Sequence, residues 1–280
     1  MHELTLDVVL KKISNLPSLP TVVMELLISI DQDDVSVDAM ATKIAQDQAL
    51  TARTLCLANS SFYGMERQIT TIDEAILTLG FRTVRSVVTT AALIETFTKR
   101  SLSDFEISPF WRHAIATAVC ARELGPYLKI NPEYAYTTGL LHDIGRLVLA
   151  TQFQPNYKAT LAYRLQHDCS LLVAERDVLG LDHAVVGYAL TQHWKFPETM
   201  QQALATHHSP LGEAPKPMQI IVIAADAIAH ALDVSMEQND AIPALPTGLW
   251  THLGINDDDL LKVFANVERQ FSQASLALDT

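Results

Sequence analysis

Apolar side chains recur along most of this chain at helical spacing. After Pro17 and Pro20, Val22, Val23, Leu26, Leu27 and Ile30 fall at i, i+1, i+4, i+5 and i+8, one stripe of a helix. Ser36 is placed to cap a second helix, on which Val37, Met40, Ala41, Ile44 and Ala45 share a face. Thr71-Ile72-Asp73-Glu74 has the form of a capping box ahead of Ala75–Leu79, and Gly80 suits the helix end. Another helix is expected over 83–98. The polar stretch Lys99–Ser103 closes the first half, and Pro109 stands just before the next helix.

Beyond Phe110 the apolar stripes widen. The pattern predicts helices at about 109–125, 132–150, 155–168, 170–179, 183–194, 197–208, 216–232 and 257–274. No run of alternating β-branched residues exceeds four or five positions, and no fixed-period repeat appears. The expectation is an all-α fold of two packed helical lobes, 1–105 and 106–280, joined near 100–109.

Composition narrows the function classes. Of the 280 residues 49% are apolar, which excludes a disordered tail. Alanine (33) and leucine (37) dominate while glycine numbers only 10, which favours helices over hairpins. The net charge is −12 with no basic block, so nucleic acid is not an expected partner. Cys56, Cys120 and Cys169 form no CxxC pair, which argues against a disulfide scaffold or a thiolate zinc finger. Glu3, Asp7, Lys11 and Lys12 interrupt the start, so no secretory signal is expected. Met218–Leu232, the longest nearly uncharged stretch, is too short to span a bilayer. A soluble, cytoplasmic protein without membrane partners is expected.

The chemistry lies in the histidines and a few carboxylates. Asp226 sits in that apolar helix, with His230 one turn later. A buried carboxylate must be protonated, hydrogen-bonded, paired or bound to metal. In Gly139-Leu140-Leu141-His142-Asp143-Ile144-Gly145-Arg146, a continuous helix would send His142 and Asp143 from adjacent edges of one face. Gly139 and Gly145 each cost about 1 kcal/mol in a helix, which makes sense if something approaches the backbone closely. A second His-Asp pair, His167-Asp168, has polar neighbours and reads as surface. His207-His208 ends a helix before Ser209-Pro210, as surface groups at a helix end or as ligands beside a loop. His183 follows the cap residue Asp182, where an exposed first-turn side chain is the local expectation. His113 lies among small alanines and could be a satisfied core histidine. His2, His193 and His252 read as structural or solvated.

The combination says more than its parts. His113, His142, Asp143, His183, His207, His208 and Asp226 occur in order on successive predicted helices. Imidazoles and carboxylates without thiolates suit one or two divalent ions, Fe, Mn or Zn. Two such ions would lower the pKa of bound water toward ~7 and hold a phosphoryl oxygen. Arg146 could meet phosphate charge as a fork donor.

At these residues the chain resembles the HD superfamily of helical metal-dependent phosphohydrolases, whose His…His-Asp…Asp pattern maps onto His113, His142, Asp143 and Asp226. More closely it resembles the HDOD family, the HD-related output domain of bacterial signalling proteins. The supporting segments are Leu16-Pro17-Ser18-Leu19-Pro20, Asp47-Gln48-Ala49-Leu50, Asn59-Ser60-Ser61-Phe62-Tyr63, Ala75–Gly80, Gly139–Gly145 and His193-Trp194 with Pro197. They cover about 10–235. His183, His207 and His208 match further histidines of the related HD-GYP phosphodiesterases. Those enzymes carry a Gly-Tyr-Pro loop where this chain reads Ser209-Pro210-Leu211-Gly212-Glu213, and usually a lysine at Arg146, which sets this chain apart from cyclic-di-GMP cleavage. The resemblance implies an HD-type bundle in the second lobe and a regulatory output protein that engages a signalling protein partner. The alternative is an active phosphohydrolase on a phosphorylated small molecule, a phosphomonoester or nucleotide, with Asp143 and Arg146 catalytic.

Overall fold

The computed structural model describes residues 4–16, 19–28, 36–59, 68–98, 105–237 and 241–274. Among these residues there is no strand. Parts of the Leu16–Pro20 and Asn59–Tyr63 motifs, Ile30, the Lys99–Ser103 stretch and His2 lie outside the described residues.

The helices are α1 Leu6–Ile13, α2 Thr21–Ile28, α3 Val37–Gln46, α4 Gln48–Ala58, α5 Ile72–Leu79 and α6 Phe81–Thr98. The chain continues with α7 Ile107–Leu124, α8 Pro132–Leu141, α9 Ile144–Gln152, α10 Gln154–His167, α11 Leu171–Leu179 and α12 His183–His193. It closes with α13 Glu198–Thr206, α14 Pro217–Ala231, α15 Leu249–Leu253 and α16 Asp257–Ala274.

Local signals act where the sequence places them. Ser36 Oγ accepts from Ala39 N at 3.4 Å, and Thr71 Oγ1 accepts from Glu74 N at 3.1 Å. Glu74 reaches back one residue further than a simple capping box, accepting from Thr70 N at 2.9 Å. Gly80 closes α5 at φ 83, a conformation that suits glycine. Asp182 caps α12 by accepting from Val185 N at 3.0 Å.

The core that positions the site is built on α7, which is buried from Ala114 to Ala121. Its alanines let α8 and α14 lie close on either side. A Cβ on Gly139 of α8 would stand 2.9 Å from Thr117 O and 3.0 Å from Ala118 Cα. On α14, Ile220 through Ala229 are buried, and α7, α8 and α13 pack against this helix. Burial of each large aliphatic there contributes roughly 1.5–3 kcal/mol. Together these offset the several kcal/mol that an ionised carboxylate loses on leaving water.

Helices α9, α12 and α13 complete the wall, with α10 and α11 behind them. Helix α6 packs on α2, α4 and α5 and also on α8, where Tyr136 reaches Thr90. Helix α1 packs on α12, and Leu4 N donates to Leu179 O at 2.7 Å.

One predicted helix is corrected. The 132–150 span is two helices, α8 and α9, broken at His142–Asp143, where Asp143 adopts φ −99 and ψ 11. The Gly139 carbonyl explains the break. It accepts from His142 N at 3.4 Å and also from the His142 ring Nδ1 at 2.7 Å, so the side chain competes with the helical ladder. The two side chains therefore leave a turn, and not one face of a continuous helix.

Candidate metal centre

The seven residues singled out from the sequence meet at this turn. Helix α7 brings His113, the α8–α9 turn brings His142 and Asp143, and the first residue of α12 is His183. His207 and His208 follow the end of α13, and Asp226 comes from the middle of α14. His183 and His207 are buried, which replaces the exposed first-turn and helix-end readings for those two. His167, Asp168, His193 and His252 are exposed.

Gly145 makes the convergence possible. A Cβ there would stand 2.0 Å from His183 O and 2.7 Å from Gly187 N, so the close approach inferred from the glycine is the backbone of α12 against α9. Gly139 does the same for α8 against α7.

Two carboxylate oxygens organise the cluster. Asp143 Oδ1 faces Nε2 of His183 at 3.1 Å, of His207 at 3.5 Å and of His142 at 3.6 Å. Asp226 Oδ1 faces Nε2 of His113 at 3.1 Å, of His230 at 3.2 Å and of His142 at 3.5 Å. His183 Nε2 and His208 Nε2 stand 2.9 Å apart, and His113 Nε2 and His142 Nε2 3.2 Å apart. With ligand bonds of ~2.0–2.2 Å, neighbouring donor atoms around one ion stand about 3 Å apart.

The far sides of three rings are fixed. Nδ1 of His142 donates to Gly139 O at 2.7 Å, and that of His207 to Leu204 O at 2.7 Å. Nδ1 of His183 donates to Glu175 Oε2 at 2.6 Å, and the same oxygen accepts from His183 N at 2.9 Å. Each acceptor obliges the proton to sit on Nδ1, which turns an Nε2 toward the centre.

Electrostatics follow from crowding two carboxylates and several imidazoles in a dry space. Burial favours the neutral Asp143, but the neighbouring His142 and His183 outweigh it and hold the carboxyl well below the usual range. Asp226 is likewise opposed by burial, yet the close rings of His113, His142 and His230 hold its carboxyl well below the usual range. Burial also works against a charged His183, but Glu175 and Asp143 raise it well above its ordinary value. His142 is raised by Asp143 and Asp226 against the same burial. His208 goes the other way, down to about 2, through burial and then the charges of His207 and His183. The raised His142 and His183 favour their charged forms, a positive charge that a cation could supply instead.

The donor set fits a divalent ion. Asp143 Oδ1, Asp226 Oδ1 and His207 Nε2 are buried with no hydrogen-bond partner among the described residues, although nitrogen or oxygen donors surround them. Candidate ligand sets are Asp143, His183, His207 and His208; His113, Asp226 and His230; and His113, His142 and Asp143.

Three contributors are not among the site residues read from the sequence, although His230 is noted there as the neighbour of Asp226. His230 lies at i+4 from Asp226, a spacing that places both on one face and could have found it. Glu175 and Glu237 carry no such local signal. Glu175 acts through His183, eight residues away, and Glu237 contacts Arg146 from beyond α14. Arg146 itself is buried, with Nη1 donating to Asp143 Oδ2 at 3.1 Å and Nη2 to Glu237 Oε1 at 3.1 Å, so its fork is filled from within the chain.

Glu175→Gln removes the charge behind His183 while keeping its size. We expect metal affinity to fall about 10–100-fold, the range for partners of ligating histidines, read by competition with a chelator of known affinity.

No helix among the described residues is long and apolar enough to cross a membrane. Comparison with known proteins adds the following. A family model for the HDOD domain matches residues 16–210. An uncharacterized protein of Treponema pallidum is 26% identical over 256 residues, 91% of this chain and 49% of its own length, so the chain spans about half of that curated relative. A Shewanella amazonensis protein provisionally named a phosphohydrolase is similar in structure, with TM-score 0.77, 27% identity, and 96% of this chain and 97% of that one covered. An HDOD domain protein of unknown function from Geobacter sulfurreducens gives TM-score 0.78 at 25% identity, covering 98% of both chains.

Proposed function

The chain belongs to the HDOD family, and on that premise we propose that it is a regulatory module of bacterial signal transduction whose core holds one or two divalent metal ions. The observation that supports this reading is the convergence of three imidazoles, each with Nδ1 already committed, on the buried oxygens of Asp143 and Asp226. Asp143, His183, His207 and His208 would hold one ion. His113, His142 and Asp226 would hold the other, with His230 beside them. Nitrogen and oxygen donors without thiolate suit Mn²⁺, Fe²⁺ or Zn²⁺. When bound there, such an ion supplies a Lewis-acidic charge that polarises a phosphoryl oxygen.

The chain's own residues do the rest. Glu175, Gly139 O and Leu204 O orient the rings, and the α7–α14 packing excludes water. The filled fork of Arg146 favours the regulatory reading, because the side chain best placed to bind an incoming phosphate already holds two carboxylates. The ligands of this module are a signalling protein, met by the helices of a lobe spanning 1–105, and a phosphorylated small molecule.

A second reading is a phosphohydrolase acting on a phosphomonoester or nucleotide. The adjacency of Asp143 and Arg146 to a full ligand set favours it, as does likeness to the Shewanella protein.

Elemental analysis of protein purified without chelator, combined with a panel of phosphoesters, tests both. The regulatory reading expects near-stoichiometric metal and turnover no higher than in Asp143→Ala. Hydrolysis lost in Asp143→Ala would favour the enzyme. Metal-free protein that ignores added Mn²⁺, Fe²⁺ and Zn²⁺ would overturn both.

A further inference from the structure

Asp226 Oδ1 is buried and makes no hydrogen bond among the described residues, yet three imidazole nitrogens face it. Nε2 of His113 stands at 3.1 Å, that of His230 at 3.2 Å and that of His142 at 3.5 Å. The rings of His113 and His230 lie side by side, with centroids 4.4 Å apart and planes inclined by 36°. Donor atoms of His113, Asp226 and His230 all fall within 4.8 Å of one another.

His230 stands outside both histidine patterns that the chain resembles, so its place follows from the helix alone. It lies four residues after Asp226 on α14, which puts the two side chains on one face. Helix α14 is buried from Ile220 to Ala229, and at His230 it meets solvent, with that side chain 16% exposed against 3% for Asp226. A histidine that served only the helix end would turn its ring outward, toward water and the last carbonyls. This ring turns inward instead, onto the oxygen that His113 already faces.

We propose that His230 is itself a metal ligand, and that His113, Asp226 and His230 hold the ion on the Asp226 side as a set of two imidazoles and one carboxylate. The inference deepens the metal reading above and rests on it. Nitrogen-to-oxygen separations of 3.1 and 3.2 Å match the ~3 Å expected between donors that share one ion at ligand bonds of ~2.0–2.2 Å. His142 cannot replace His230 in fixing this side, because its Nε2 stands almost midway between the two carboxylates, 3.5 Å from Asp226 Oδ1 and 3.6 Å from Asp143 Oδ1. With His230 included, the Asp226 side has three donors from α7 and α14 alone, while Asp143, His183, His207 and His208 serve the other side. The two ions are then held by separate carboxylates and respond to separate substitutions.

The test is Zn²⁺ titration of the chelator-treated full chain against a competing indicator of known affinity, which reads the number of ions and both constants. The unsubstituted protein is expected to take two ions. His230→Gln keeps an N–H donor beside Asp226 but removes the imidazole. It should weaken one ion by more than about 100-fold, beyond the 10–100-fold lost with a residue that only orients a ligand, and leave the other unchanged. Combined with His208→Gln, it should weaken both. Unsubstituted protein that binds no zinc would overturn the metal reading and this inference together. Two ions in that protein with a loss below about 100-fold in His230→Gln would overturn this inference alone. So would a single ion in the unsubstituted protein, or a double variant no weaker than His208→Gln. If His230→Gln does not fold, His230→Glu carries the test: an oxygen donor in place of nitrogen should keep the second ion but move its preference from Zn²⁺ toward Mn²⁺, and an unmoved preference would refute a ligand role.

Discussion

Adding Mn²⁺, Fe²⁺ or Zn²⁺ to chelator-treated protein is expected to raise its Tm by about 10 °C. A ligand that binds only the folded state at a thousand times its Kd stabilises by about 4 kcal/mol. For a chain of this size each kcal/mol moves Tm by about 2–4 °C. The stabilisation should be large because the ion would offset the charge of two buried carboxylates, Asp143 and Asp226. The sign of the pH dependence follows. His183 is raised above 6.5 in the folded protein, so its proton stabilises the metal-free form below 6.5 and that contribution disappears as pH climbs through the raised value. The metal-induced shift therefore widens as pH rises and shrinks toward pH 6.5, where protons compete for the same nitrogens. Differential scanning calorimetry across that window reads both size and slope. A Tm that metal leaves unchanged at every pH would reduce the cluster to a packed set of histidines.

The second large effect concerns Gly145→Ala, which should destabilise the fold by about 3–5 kcal/mol, in the range reserved for severe overpacking. The new Cβ would lie 2.0 Å from His183 O and 2.7 Å from Gly187 N, and both are backbone atoms that no rotamer change can move. Separation of α9 from α12 would carry His183 away from Asp143, so metal retention should fall with Tm. Gly139→Ala meets Thr117 O at 2.9 Å and should cost less. Gly212→Ala meets nothing within 4 Å and serves as the control. Thermal melts and metal content of the three variants, ranked in that order, check the claim; equal stability of Gly145→Ala and Gly212→Ala would refute it.

Much of this arrangement was readable from residue order. The stripes after Phe110 mark α7 and α10–α14 because those helices bury one dominant face or nearly all of their surface. Asp226 announced itself as a carboxylate with no business in an apolar helix. Helices α1 and α4 left weaker traces. On α1, Leu6, Val8 and Leu10 are exposed while Val9 and Ile13 are buried, so apolar identity and burial part company. On α4 the buried positions Leu50, Thr54 and Ala58 do share a face, but one of them is polar and Leu55 lies off it. The break at His142 was invisible because no proline or glycine marks it. A side-chain hydrogen bond to Gly139 O makes it, together with the pull of Asp143 toward the histidines. Glu175 and Glu237 were beyond reach for a different reason: only the tertiary fold brings each to its partner.

Helix α6 packs against α2, α4, α5 and α8, and α8 runs directly into His142. A strut of that kind makes the two ends of the molecule thermodynamic neighbours. Any partner that repacks the first helices and shifts α6 alters the energy of the ligand turn, and by reciprocity an ion seated at that turn changes the partner's affinity by the same factor.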